Sequence, residues 1–163
     1  MGIKSYIVNF LKFLKHGGVK YVSVTFTNPD ARYTNKKVFI SGGSEGLGRA
    51  MAKAYLAEGA EVIVTGRSKE KLSNFQLSES NAKLHTLVWD ALDFDSYKQK
   101  FDKAVSMMGR IDIFVNNVGG GMSKYEPWNA YTAEVLDRTY DINTKSMFLM
   151  CQMEGLYMID NNI

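Results

Sequence analysis

The sequence has one cysteine, Cys151, and two prolines among its 163 residues. A single thiol excludes an internal disulfide framework and suits a reducing compartment, so a cytoplasmic protein is expected, with Cys151 as a small apolar core residue. There is no Pro/Gly/Ser-rich linker, no low-complexity tract and no internal repeat. The composition is that of an ordinary globular chain, and the length suits one domain with a sizeable core.

A basic field is also lacking where it would matter. Of the net charge of +3, residues 1–36 carry +5 and the remainder carries −2. The remainder therefore has nothing with which to grip nucleic acid. No metal site is expected: His85 alternates with apolar neighbours and has no second ligand at metal spacing, which makes it a structural residue.

Residues 1–36 read as an extension. Ile3, Ile7, Phe10 and Leu14 repeat at helical spacing and end at His16-Gly17-Gly18, which predicts a short amphipathic helix. It is too short and too charged to span a bilayer, and it lacks the apolar centre and cleavage site of a secretory signal. Gly2 suggests myristoylation, but Tyr6 stands where that motif wants Ser or Thr. The helix either packs on its own or a partner subunit, or rests residues 1–15 on an anionic membrane surface. Residues 21–27 alternate as a strand does, and Asn28-Pro29-Asp30 is the turn after it.

The rest of the chain is organised around Lys37 to Arg67. An apolar run, Val38-Phe39-Ile40, leads into Ser41-Gly42-Gly43-Ser44-Glu45-Gly46-Leu47-Gly48. An amphipathic segment comes next, read with Leu47, Ala50, Met51, Ala54 and Ala57 on its buried face, and Val62-Ile63-Val64 closes the unit. This is strand, glycine-rich turn, helix and strand, with a helix N-terminus suited to a phosphate. Gly42 permits the tight turn, Gly46 lets backbone N–H groups approach a pyrophosphate, and Gly48 lets helix and sheet pack closely. Ser44 is a candidate cap and phosphate ligand, and Glu45 and Leu47 belong to the same candidate cradle.

At this point the chain resembles the short-chain dehydrogenase/reductase family, whose signature is Thr-Gly-x-x-x-Gly-x-Gly. Gly42, Gly46 and Gly48 match its spacing, and Ser41 keeps the hydroxyl of the usual Thr. Where NAD-users of this fold place an acidic residue on the ribose, this chain has Gly66 followed by Arg67. A guanidinium suits a 2′-phosphate and no carboxylate repels it, so NADP(H) is expected over NAD(H). The alternative for Arg67 is a solvated loop arginine.

Downstream residues extend the resemblance to the end of the chain. Ser68 is expected to cap the next helix, and Leu84 to Trp89 reads as the third strand. The family uses the acid after that strand and its neighbour against adenine, which implies roles for Asp90 and Ala91. Asp90 and Asp93 read equally well as helix-start acids. Tyr97, Phe101, Ala104, Val105 and Met108 form one helical face, and Ile111 to Val115 is a buried parallel strand. Asn116-Asn117-Val118-Gly119 resembles the family's Asn-Asn-Ala-Gly, which implies that Asn116 and Asn117 stabilise the sheet and that Asn117, Val118 and Gly119 border the cofactor. Gly119 to Met122 reads as a loop at the sheet's carboxyl edge, where Tyr125 and Trp128 either line a substrate pocket or cover a helix end.

A last helix is predicted from Thr132 to about Met158, with Leu136, Tyr140, Asn143, Met147, Met150 and Cys151 roughly on one face. The resemblance implies that Asn143 holds a water of the catalytic proton relay, and that the methionines and Phe148 sit in the core or a subunit interface. The family's Ser and Tyr-x-x-x-Lys come after a fifth strand, which the sequence does not reach. Tyr33 and Lys37 have the spacing but precede the first strand, and Tyr157 has Asn161 at its +4 position.

The expected fold is therefore α/β: a Rossmann-type doubly wound parallel sheet of strand order 3-2-1-4, cut before a fifth strand. Residues 37–163 form the dinucleotide-binding domain, incomplete at its C-terminus, and the fourth strand is left with an apolar edge that lowers stability. The resemblance implies an NADP(H)-dependent oxidoreductase acting on a ketone or secondary alcohol, such as a 3-oxoacyl thioester, and a homo-oligomer for the full-length protein. The alternative is a non-catalytic nucleotide-binding or interaction module that keeps half the fold.

Overall fold

Four short apolar runs form a parallel sheet: β1 (Lys37–Ile40), β2 (Glu61–Gly66), β3 (Leu84–Val88) and β4 (Ile113–Val115). The computed structural model describes residues 32–79, 82–121, 129 and 131–163. The expected N-terminal helix, the strand of residues 21–27, the membrane contact of residues 1–15, and Tyr125 and Trp128 lie outside the described residues.

The strand order is β3-β2-β1-β4, as the sequence pattern predicts. Phe39 stands opposite Ile63 on β2 and Phe114 on β4. Alternation along β1 and β2 then splits the core in two. Val38, Ile40, Val62 and Val64 pack with Ala52, Leu56, Leu72 and Phe75 on one face. Phe39 and Ile63 pack with Tyr97, Phe101, Ala104, Met108 and Met150 on the other. A parallel strand covered on both faces must be apolar at every position, which is why these runs show no polar alternation.

The first layer is α1 (Gly46–Ala57) and α2 (Lys69–Glu79). The buried residues of α1 are Gly48, Ala52 and Leu56, whereas Leu47 is 70% exposed. Of the face read from Leu47, Ala50, Met51, Ala54 and Ala57, Met51 alone packs half-buried against the core and the others are exposed, so that face is about one position out of phase. Gly48 causes this: it brings the helix against the β1 turn backbone, so the closest approach sets the helix's rotation and bulk does not. Ser68 caps the start of α2, its Oγ accepting from the Lys71 N–H at 3.2 Å.

The second layer is α3 (Tyr97–Met108), entered through a 3-10 turn at Phe94–Ser96, with a long C-terminal helix beside it. The face expected for α3 is the buried one, with Tyr97, Phe101, Ala104 and Met108 inside. The C-terminal helix has three parts: α4 (Ala133–Tyr140), a π turn at Asp141–Lys145, and α5 (Ser146–Asp160). The π turn adds a residue to the helical repeat and rotates α5 relative to α4. The buried stripe of α5 is therefore Ser146, Met150 and Glu154, whereas Leu136, Tyr140, Met147 and Phe148 are exposed. Cys151 is exposed as well, not a core residue.

Among the described residues β4 pairs only with β1, so its outer edge has no strand partner. Residues 32–36 join the first layer: the Tyr33 N–H donates to Glu58 O at 3.1 Å, and the Tyr33 ring meets Tyr55 edge to face. His85 is structural, its Nε2 lying 2.8 Å from Glu61 Oε1 on the neighbouring strand.

Candidate functional site

The carboxyl ends of the strands open into a cavity of about 650 Å³. Such sheet edges are where open α/β folds bind ligands. The walls contain nine of the residues singled out from the sequence: Gly42, Ser44, Glu45, Arg67, Asp90, Ala91, Asn117, Val118 and Gly119. Gly46, Leu47, Gly48 and Asn143 are not among the lining residues.

The glycine turn is built by local contacts. Gly42 has φ +67° and Gly46 has φ +57°, both in the left-handed region that disfavours a side chain. A Cβ on Gly46 would meet no atom within 4 Å, so its surroundings are open. The N-cap of α1 is Glu45, not Ser44, and it makes no side-chain cap bond; its carboxylate pairs with Lys71 Nζ at 2.7 Å. The first-turn N–H groups of α1 are thus left without a side-chain cap, beside open space. Ser44 faces the end of β2 instead, its Oγ 3.0 Å from where a Gly66 Cβ would stand.

The Asn-Asn segment after β4 locks this turn. Asn117 Nδ2 donates to the carbonyls of Ser41 at 3.2 Å and Gly42 at 3.0 Å. The N–H groups of Asn117 and Val118 both donate to Ser41 Oγ, at 3.0 and 3.2 Å. This is the physical use of the hydroxyl that Ser41 retains. Asn116 points the other way, and its Nδ2 donates to Glu154 Oε2 at 2.5 Å.

The third strand delivers Asp90 to the cavity. Its Oδ1 accepts from the Leu92 N–H at 3.0 Å, which makes a local turn and no helix cap. Asp93 is the N-cap of the 3-10 turn without a side-chain cap bond. Behind this wall the buried Tyr97 hydroxyl donates to Ala91 O at 2.6 Å, and burial pushes its pKa up to about 12. The phenol is therefore a fixed strut at ordinary pH. Trp89 Nε1 is buried without a partner among the described residues.

Asn143 sits in the π turn and its amide makes three hydrogen bonds. Nδ2 donates to Gly120 O at 2.7 Å and to Thr139 O at 2.9 Å, while Oδ1 accepts from the Gly120 N–H at 3.0 Å. It pins the loop after β4 to the C-terminal helix.

Another part of the lining escaped the sequence reading. Tyr131, Thr132, Val135, Arg138, Thr139 and Ile142 line it from α4 and its approaches. Their spacing of three and four is a helical stripe that the phase chosen for this helix obscured. Arg138, like Arg67, is exposed, and neither guanidinium has an ion pair or hydrogen bond among the described residues.

The family model for short chain dehydrogenases matches residues 36–162. The chain belongs to the short-chain dehydrogenase family. It is 31% identical over 124 residues to 7alpha-hydroxysteroid dehydrogenase of Bacteroides fragilis, covering 75% of this chain and 46% of that protein. It is 32% identical over 136 residues to the 3-oxoacyl-acyl-carrier-protein reductase FabG of Thermotoga maritima, covering 78% and 52%. A crystal structure of a short chain dehydrogenase from Bacillus anthracis matches with a TM-score of 0.72 at 32% identity, covering 78% of this chain and 52% of that one. The short-chain dehydrogenase chain described here thus spans about half the length of the curated relatives it matches. Among its described residues no helix is long and apolar enough to cross a membrane, and no cluster of three or more metal-ligating side chains occurs.

Proposed function

We propose that the cavity binds NADP(H) in preference to NAD(H), and that the chain is the cofactor-binding portion of an oxidoreductase acting on a ketone or secondary alcohol. The observation that carries this reading is the pair Gly66-Arg67 at the cavity wall. The position where an acidic residue would favour NAD is a glycine, and an unpartnered guanidinium stands next to it in the chain. The residues fit a dinucleotide on three counts: the open space at Gly46, the α1 N-terminus without a side-chain cap, and the available guanidinium.

In this reading the turn from Gly42 to Gly48, with Ser44, holds the pyrophosphate, and Arg67 forms charge-assisted hydrogen bonds to the 2′-phosphate. Asp90 and Ala91 border the adenine, and Asn117 to Gly119 border the ribose next to the nicotinamide. When bound, the nicotinamide supplies or takes up the hydride. Similarity to FabG of Thermotoga maritima supports a 3-oxoacyl thioester as one substrate class. Asn143 serves catalysis by fixing the Gly120 loop at the nicotinamide end.

A second reading, a nucleotide-binding module without turnover, is favoured by one observation: the Asn143 amide is already engaged by Gly120 and Thr139. Fluorescence titration with NADPH and NADH tests the cofactor assignment. NADPH should bind more tightly and lose that advantage in Arg67→Ala; equal or tighter NADH binding, unchanged by the substitution, overturns it. Both readings predict NADPH binding by this chain; oxidation of NADPH across a ketone panel overturns the second reading.

A further inference from the structure

Glu154 lies on the buried face of α5 and is 5% exposed. A carboxyl in such a place needs a cation or a complete set of hydrogen bonds. It has no ion pair among the described residues. Its side-chain partner among the described residues is Asn116, the first residue after β4, whose Nδ2 donates to Oε2 at 2.5 Å and also approaches Cys151 Sγ at 3.3 Å. The two other oxygens of the pair, Glu154 Oε1 and Asn116 Oδ1, are both buried and both without a partner among the described residues.

An ionised carboxylate and an amide oxygen are acceptors only, so neither can satisfy the other while Glu154 is charged. One proton changes this. On Oε1 it would be a donor, and Asn116 Oδ1, carried by the amide that already holds Oε2, would be its acceptor, closing a ring of two hydrogen bonds: acid O–H to amide oxygen and amide N–H to acid oxygen. Burial pushes the Glu154 carboxyl up to about 7, with the Asn116 hydrogen bond opposing it, so the proton is exchanged near neutrality. The other titratable groups at this corner are the Cys151 thiol, which shares Asn116 Nδ2, and the Tyr157 hydroxyl, which accepts from the Ile111 N–H at 3.2 Å.

Asn116 is bonded directly to Asn117, whose side chain holds the Ser41 and Gly42 carbonyls of the cavity's glycine turn. We propose that Glu154 is a positioning residue for this cavity: its neutral carboxyl closes the acid–amide ring with Asn116 and so holds the Asn117 clamp on the glycine turn. Ionisation opens the ring, leaves two buried acceptors facing one donor, and loosens the clamp. The consequence for affinity rests on the dinucleotide reading of the cavity; the effect on the clamp does not.

Two measurements on the 163-residue chain separate these. Amide hydrogen exchange reads the Asn117 and Val118 N–H groups, corrected for the intrinsic rate, from about pH 6 to about pH 8. Protection should fall severalfold across that range in the native sequence and stay high in Glu154→Gln, whose amide reproduces the neutral acid. NADPH titration over the same range should show affinity falling severalfold in the native chain and holding in the variant. Identical exchange profiles in the two proteins overturn the proposal, whatever NADPH does. A Glu154→Gln chain that fails to fold also overturns it, because an isostere of the neutral acid must be accepted. Distinct exchange profiles with no NADPH binding at any pH uphold the clamp and overturn the cofactor assignment.

Discussion

Gly48 and Gly42 meet backbone to backbone: a methyl group on Gly48 would stand 2.3 Å from the Gly42 carbonyl oxygen and 2.6 Å from Asn117 Nδ2. Neither obstacle can yield cheaply, since one is main chain and the other is held by Ser41 and Gly42. Gly48→Ala must therefore push α1 off the end of β1, at a cost of about 2–4 kcal/mol. Gly46→Ala meets open space and carries only the strain of its positive φ, about 1–2 kcal/mol. Urea unfolding midpoints of the two variants check the order, and a Gly48→Ala chain as stable as the native one contradicts the contact.

Ser41 should tolerate Thr and reject Ala. Its buried hydroxyl accepts the N–H groups of both Asn117 and Val118. Removing it strands two donors at about 1–3 kcal/mol each, so Ser41→Ala should lose about 2–6 kcal/mol. Ser41→Thr keeps the acceptor and should stay within about 1.5 kcal/mol. Thermal melts of the two variants decide this, and a neutral Ser41→Ala would mean that those N–H groups find other acceptors.

Arg67 and Arg138 line the same cavity from different elements, the end of β2 and α4, and they should differ in what they recognise. Loss of a charge-assisted contact to the 2′-phosphate costs about 1.5–3 kcal/mol, roughly 10–100-fold in NADPH affinity, with NADH affinity nearly unchanged. Arg138 lies on α4 and not after β2, so Arg138→Ala should weaken NADPH and NADH alike, by less than about tenfold. Isothermal titration of both cofactors against both variants checks the pattern, and a selective loss of NADPH in Arg138→Ala would move the 2′-phosphate to the α4 wall.

The sheet was legible in the sequence because strands buried on both faces leave nothing for polar residues to do: Val38 to Ile40 and Val62 to Val64 could hardly be anything else. The turn was legible because each glycine has a separate steric reason to be there. Two helix phases were not. In α1 a residue without a side chain, Gly48, sets the rotation, and hydrophobic bulk at Leu47 points the wrong way. In the C-terminal helix the π turn at Asp141–Lys145 breaks the register, which hid the α4 wall of the cavity and misplaced Cys151. Glu154 was invisible for a similar reason: a glutamate on a helix reads as solvent-facing until tertiary packing shows that it lies opposite Asn116.

That burial has a thermodynamic signature with a definite sign. The folded chain holds the Glu154 proton up to about pH 7, against an ordinary glutamate value of 4.5. Between these values the folded state binds a proton that the unfolded state has released, so raising the pH favours unfolding. The contribution is complete below pH 4.5, is lost as pH rises through about 7, and is flat above that. At 1.36 kcal/mol per unit the loss is about 3 kcal/mol. Glu154→Gln should remove this slope and make the chain more stable than the native one above pH 7, with the two converging in acid. Urea titrations at a series of pH values measure the difference directly. A native curve that rises from acid to neutral pH relative to Glu154→Gln would show that the carboxyl is ionised in the fold, with a partner that compensates its charge.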